Sequence, residues 1–107
     1  MRSHGDGGRV PPGWRAFDPP RLVWVDVPRL HPSPAGWTPT TRPTGLRVSF
    51  EVPGLLHAAV PSETGEELGL VSYTLTTADS EWDVQVHQYV LTHLLKPRSR
   101  QRRDRAH

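Results

Sequence analysis

The chain lacks several residue types, and the absences limit its chemistry. It contains no cysteine, no isoleucine and no asparagine, and its only lysine is Lys96. Disulfide bonds, cysteine nucleophiles and zinc sites that need a thiolate are therefore excluded. The missing types have A/T-rich codons, whereas the abundant arginine, proline, glycine and alanine have G/C-rich codons. A coding sequence of high GC content explains both, so the arginine and proline counts alone indicate neither phosphate binding nor a polyproline ligand.

Long hydrophobic runs are also missing. The longest apolar runs have four or five residues, as at Leu22–Val25, whereas a membrane-spanning helix needs about 20. Residues 1–10 are polar and rich in glycine, without the apolar stretch of a secretory signal. We therefore expect a cytoplasmic protein that makes no membrane contact.

Length and charge divide the chain into three parts. Its 107 residues suit one small domain. The C-terminal part holds six cations against one acid, a formal charge of +5, while the other 95 residues carry −3. With almost no apolar residue to bury, this part does not fold alone. We predict a flexible Gly/Pro-rich leader at 1–20, a single small domain at 21–95 with a Pro-rich loop at 31–44, and a disordered basic tail at 96–107.

Hydrophobic patterning predicts three or four strands. Arg21–Val27 is apolar on both faces and ends before a proline, as in a buried strand. Leu46–Val52 alternates apolar and polar residues, which is typical of a half-buried antiparallel strand and is the clearest pattern in the chain. Two further strands are predicted at Leu55–Val60 and Gly69–Thr77, the first of them after a type II turn at Pro53-Gly54.

The segment at 81–95 fits two structures. Its apolar residues follow the spacing of an amphipathic helix, and Ser80 with Asp83 has the form of a capping box. Trp82, Val84 and Val86 also alternate with polar residues, as in a strand. We favour the helix and predict an α+β fold, with an antiparallel sheet of three or four strands and one C-terminal helix. The alternative is an all-β small barrel or sandwich in which 81–92 forms the last strand.

Asp83 and His87 are the only candidates for catalysis. They share a face whether the segment is helix or strand, and a carboxylate beside an imidazole is a minimal general-base arrangement. No HExxH or G-x-S-x-G motif accompanies them. His93 is six residues from His87, too far around a helix for the two to share a metal. We expect no metal and no cofactor, and the sequence favours a non-enzymatic protein.

Four tryptophans are many for this length. Trp24 and Trp82 lie in patterned segments, so we expect them in the core. Trp14 and Trp37 lie in Pro/Gly-rich stretches, where a core is harder to build, and tryptophan is a frequent interface anchor. These two are the candidate partner-binding residues.

The basic tail has three interpretations. It can bind nucleic acid through phosphates, dock onto an acidic protein, or act only as a solubilising end. No aromatic residue is interleaved for stacking on single-stranded bases. The candidate contact residues are Lys96, Arg98, Arg100, Arg102, Arg103 and Arg105.

Our functional hypothesis is a non-catalytic binding or assembly module, a small subunit of a larger complex that uses Pro-rich arms and exposed tryptophans. A protein partner or a homo-oligomer is therefore expected. One alternative is a nucleic-acid-binding accessory protein that works through its arginine tail. A second alternative is a small hydrolase or metal enzyme that uses Asp83 and His87.

Overall fold

A computed structural model describes residues 10–99 of the chain. They form one antiparallel five-stranded sheet whose spatial order is β4-β3-β2-β1-β5. The strands are β1 Arg15–Val25, β2 Val52–Pro61, β3 Glu67–Thr76, β4 Asp83–Leu91 and β5 Leu95–Pro97. A four-residue helix, α1 Val27–Leu30, follows β1, and a 3₁₀ turn, Thr92–Leu94, joins β4 to β5.

The sheet is curled into a half-barrel. Strands β4 and β5 lie at opposite edges, yet only the three-residue turn separates them. So short a connection can join the two edges only when the sheet bends toward itself, as strand twist allows. The curl gives the sheet a concave face and an outer face.

The hydrophobic core fills the concave face. Every second residue of β3 points into it, as do the two valines at the end of β1, and Val25, Val27 and Val71 are fully buried. Helix α1 closes one end of the face, because the Asp26 carboxylate accepts a hydrogen bond from the backbone N–H of Arg29 (3.2 Å) and turns Val27 inward. Val23 and Val25 of β1 and Val27 of α1 line this buried side, whereas the other face of β1 is open at Trp24, so the strand is not buried on both faces.

The prediction of a C-terminal helix, and with it the α+β fold class, is wrong. Residues 83–91 form strand β4, paired along its whole length with β3. Val86, which both patterns share, and Val90 of the helical pattern face the concave side. Pairing with β4 satisfies the backbone N–H and C=O groups along one side of β3. These groups would lack partners if residues 83–91 formed a helix. The all-β alternative fits better, in the form of a curled five-stranded sheet.

The turn before β4 replaces the predicted capping box. Ser80 has a φ of 65° and so occupies the left-handed region. The Asp79 carboxylate accepts hydrogen bonds from the Thr77 hydroxyl (2.6 Å) and the Glu81 N–H (3.0 Å). These bonds close a tight β3–β4 connection and leave Trp82 69% exposed. The placement of Trp82 in the core is therefore wrong, and Trp24 is exposed as well.

The strand predicted at Leu46–Val52 is also wrong. Only Leu46 makes a bridge, to Thr77, and strand β2 begins at Val52. Phe50 is 67% exposed, whereas Val48 packs against the core. The alternation does not produce a strand, because β1 ends at Val25, opposite Val52, and the chain then enters α1. The residues before Val52 therefore have no β1 residues to pair with.

Pro53 and Gly54 do not form the predicted turn. Both lie inside β2, opposite Trp24 and Val23 of β1. A Cβ atom on Gly54 would lie 2.8 Å from the Ser72 carbonyl oxygen and 2.9 Å from Val25 Cγ2. Glycine is therefore required here by close packing of strands.

The sheet extends beyond the predicted domain limits of 21 and 95 at both ends. Strand β1 begins at Arg15, within the predicted leader at 1–20, and β5 extends past residue 95. Residues 31–44 form neither helix nor strand. Within residues 10–99 we find no helix with the length and apolar character needed to cross a membrane.

Candidate protein-binding edge

Strand β4 carries a row of backbone groups that face away from the sheet. The Thr77 N–H donates to the Trp82 carbonyl (3.0 Å), and the β3–β4 register continues without a shift to Leu91. Hydrogen-bonded pairs alternate along an antiparallel ladder. The even-numbered residues of β4 therefore bond to β3. The N–H and C=O groups of the alternate residues point outward from Asp83, Gln85, His87, Tyr89 and Leu91.

This outward side of β4, which we call the β4 edge, has none of the usual protection against strand pairing. Edge strands are commonly blocked by proline, lysine, bulges or short length. Strand β4 has nine residues without proline, glycine, lysine or arginine, and its one formal charge, Asp83, is at its end. No strand of the described residues pairs with its second side. The side chain of Val84 is 44% exposed at this edge.

The opposite side of the sheet is protected by several of these devices. Strand β5 has only three residues and contains Lys96 and Pro97. Beyond β5, the uncovered front of β1 carries Pro19 and Pro20, which lack a backbone donor. The two sides of the sheet therefore differ, and among the residues that the structure describes only the β4 edge is open along a full strand.

Polar pairs stiffen the outer face beside the β4 edge. The Thr76 hydroxyl donates to Asp83 (2.8 Å), and the Gln85 amide donates to the Thr74 hydroxyl (2.8 Å). These cross-strand bonds fix the side chains of β4 against β3. The edge is therefore held in an extended conformation before any partner arrives, which lowers the entropic cost of binding.

Two imidazoles and a serine meet further along the outer face. His57 lies at a β-bulge in β2, and its Nε2 is 2.7 Å from the Ser72 hydroxyl. Its ring stacks on that of His87 with centroids 6.1 Å apart. Serine hydrogen-bonded to histidine is the beginning of a nucleophile–base pair. A complete site also needs a carboxylate that orients the imidazole and free N–H donors that bind an oxyanion. Ser72 lies within a central strand that is paired on both sides, so the backbone beside it offers no free N–H donors.

A groove of about 570 Å³ lies next to this cluster. Arg47 donates to the Ala78 carbonyl (2.6 Å), and Arg98 donates to the carbonyls of Val23 (3.0 Å) and Gly54 (2.9 Å). The main chain thus anchors both guanidinium groups, and the groove favours anionic groups. Its other polar lining residues are Ser72, Thr74, Thr76 and Gln85, and Phe50 supplies an exposed aromatic ring.

The structure separates the two candidate catalytic residues. Asp83 and His87 share the outer face of β4, but four strand residues span about 13 Å. Asp83 bonds to Thr76, whereas His87 stacks on His57. Within residues 10–99, no three histidine or acidic side chains are grouped so that they could hold a metal ion.

The two candidate tryptophans have different surroundings. Trp14 is half-buried and packs edge-on against Tyr89, with ring centroids 6.3 Å apart. Trp37 lies in the long loop and is 62% exposed.

Two of the six candidate basic residues lie in the folded part. Lys96 pairs with Glu51 at 2.6 Å, and this carboxylate raises the pKa of Lys96, first through the hydrogen bond and then through its charge. Arg98 lies over the Trp24 ring, 5.8 Å from its centroid. The other four lie outside the described residues: Arg100, Arg102, Arg103 and Arg105.

Neither His57 nor the open state of the β4 edge was predicted from the sequence. Nothing in the sequence near His57 announces a bulge, because the register shift is visible only against β3. The low charge of β4 is visible in the sequence, but the position of β4 at the edge of the sheet follows only from the strand order. Comparison with protein-family models, curated proteins and solved structures gave no match.

Proposed function

We propose that this protein is a non-catalytic assembly module, which binds a protein partner by adding a strand to the β4 edge. The observation that carries the proposal is the contrast between the two sides of the sheet. One side is protected by the shortness of β5, by Lys96 and by prolines. The other side presents the nine residues of β4 without such protection. Main-chain hydrogen bonds supply affinity in strand addition, and alternate side chains supply specificity.

The surroundings of the edge support a partner made of protein. On the outer face, a partner strand would meet Gln85, His87 and Tyr89, which offer hydrogen bonds and aromatic surface without net charge. On the concave side it would cover Val84. An extended segment with apolar residues at every second position fits this pattern. The proposal includes a cytoplasmic location, following the sequence expectation, and cell fractionation tests that part.

The experiment places a photo-crosslinking amino acid at Gln85 and activates it in cells that express the full chain. We expect a covalent adduct with a protein, identified by mass spectrometry. The matched control carries the same amino acid at Thr64, in the β2–β3 turn away from the edge, and should give no adduct.

A blocking variant connects the adduct to strand pairing. In His87→Pro the lost N–H points away from β3, so no bond of the β3–β4 ladder is removed. The adduct at position 85 should disappear in this variant. His87→Lys, which keeps the backbone donor but adds an edge charge, should reduce it. An adduct of equal yield in both variants, or none in the wild-type background, would reject the β4 edge as the binding site.

A further inference from the structure

We propose that the partner at the β4 edge is a second copy of this chain, paired antiparallel about a two-fold axis through His87. This inference rests on the proposed function and names the partner. A partner for an open strand must itself offer a strand or an extended segment with unpaired backbone groups. Every copy of the chain carries one in β4, and the same surface then serves both partners, as two-fold dimers require.

Backbone geometry selects the register. Outward-facing groups must meet outward-facing groups, so odd-numbered residues of β4 pair with odd-numbered residues of the other copy. An axis through His87 lets all nine residues of both strands pair, with five facing outward pairs and about ten hydrogen bonds. An axis through Val86 or Gln88 leaves two residues unpaired and loses about two of these bonds. The His87 register therefore satisfies the most backbone groups.

The side chains are compatible with the same register. On the concave face Val84 would lie opposite Val90 of the other copy, which covers the exposed part of Val84. On the outer face Gln85 would lie opposite Tyr89, and His87 opposite its own copy.

The charges are compatible as well. Asp83 would face Leu91, so no two carboxylates are opposed. Past the strand ends, Glu81 of one copy lies toward the exposed His93 of the other. No pair along the interface opposes like formal charges, which would destabilise a sheet. An interface of one strand pair is small, so we expect weak association that depends on concentration.

The absence of cysteine makes the register directly measurable. In His87→Cys the two thiols of the dimer face each other, with Cα atoms about 5.5 Å apart, which is within disulfide reach. In the matched variants Gln85→Cys and Tyr89→Cys, the equivalent atoms are about 14 Å apart, which is too far. All three positions lie on the same outward side of β4 and are exposed, so random collision would oxidise them alike.

We expect mild oxidation of the full-length His87→Cys protein to yield a disulfide dimer at least tenfold faster than either control. Sedimentation equilibrium of the wild-type chain should show monomer and dimer in a concentration-dependent balance. His87→Lys should remain a monomer at the same concentrations, with an unchanged circular dichroism spectrum.

Three results would overturn the inference. They are a wild-type chain that stays monomeric up to about 1 mM, a dimer that His87→Lys does not weaken, and faster bridging at position 85 or 89 than at 87. A monomer that still forms a photo-adduct with a different protein at position 85 rejects the second copy but keeps the proposed function. A monomer without any adduct rejects both.

Discussion

Replacing Gly54 by alanine tests the packing of β2 between β1 and β3. The added Cβ would come within 2.8 Å of a carbonyl oxygen of β3 and within 2.9 Å of Val25 Cγ2. Overpacking of this kind costs about 1–3 kcal/mol, and the carbonyl belongs to a strand paired on both sides, which limits its movement. Reduced freedom of the unfolded chain returns about 0.5 kcal/mol. We expect Gly54→Ala to lower the free energy of unfolding by about 2 kcal/mol.

A double-mutant cycle identifies the cause. Val25 is fully buried, and Val25→Ala removes two carbon atoms worth about 0.8 kcal/mol each. The remaining cavity raises the total loss to about 2–3 kcal/mol. Because Val25→Ala also removes the Cγ2 atom that obstructs the new Cβ, the double variant should lose about 1 kcal/mol less than the sum of the single losses.

The assay is urea unfolding followed by tryptophan fluorescence and by circular dichroism, compared at constant slope. Gly69→Ala is the matched control, because the nearest atom to its Cβ, at 2.7 Å, is the end of the flexible Leu56 side chain. It should lose less than about 1 kcal/mol. If Gly54 were in a turn with positive φ, alanine there would still cost about 1 kcal/mol but would show no coupling to Val25. Additive losses would therefore refute the strand assignment.

Three further predictions concern Tyr73 and the C-terminal segment. Burial raises the pKa of Tyr73 above its usual value, so the free energy of unfolding should fall as the pH rises above about 10. Urea titrations at alkaline pH should show a smaller fall for Tyr73→Phe, and an equal fall in the variant would contradict this prediction. Deleting residues 100–107 should leave the unfolding midpoint unchanged, whereas Arg98→Gln, which removes charged donors from two main-chain carbonyls, should cost about 1–3 kcal/mol. Affinity of the same two variants for DNA and RNA across a salt series tests the nucleic-acid alternative, and unchanged affinity after the deletion would reject it.

Local patterns predicted the strands whose two faces differ in burial. The strand predicted at 69–77 lies within β3 and its end, and the strand predicted at 21–27 overlaps the end of β1, although only the valine face of β1 is buried. The polar stretch after Val60 forms the β2–β3 turn, closed by a hydrogen bond from the Ser62 N–H to the Glu66 carbonyl (2.7 Å). These elements depend mainly on residues close in sequence.

The remaining elements depend on contacts that are distant in sequence. Residues 83–91 carry a helical and a strand pattern together. The strand forms because these residues pair with the side of β3 that β2 leaves open. Leu46–Val52 has the right alternation but no neighbouring strand. For the candidate site, Asp83 and His87 were singled out as a pair, yet the structure gives them separate contacts, and the relevant feature is the backbone between them.

The pairing of β5 with β1 has a consequence for how the chain folds as it is made. Residues 52–91 form successive hairpins between neighbours in sequence, which assemble quickly once they leave the ribosome. Strand β1 is synthesised first, but its pairing with Leu95–Pro97 must wait until that distant segment emerges. During this interval residues 23–25 of β1 lack their β5 partner, and premature contacts between nascent copies can form there.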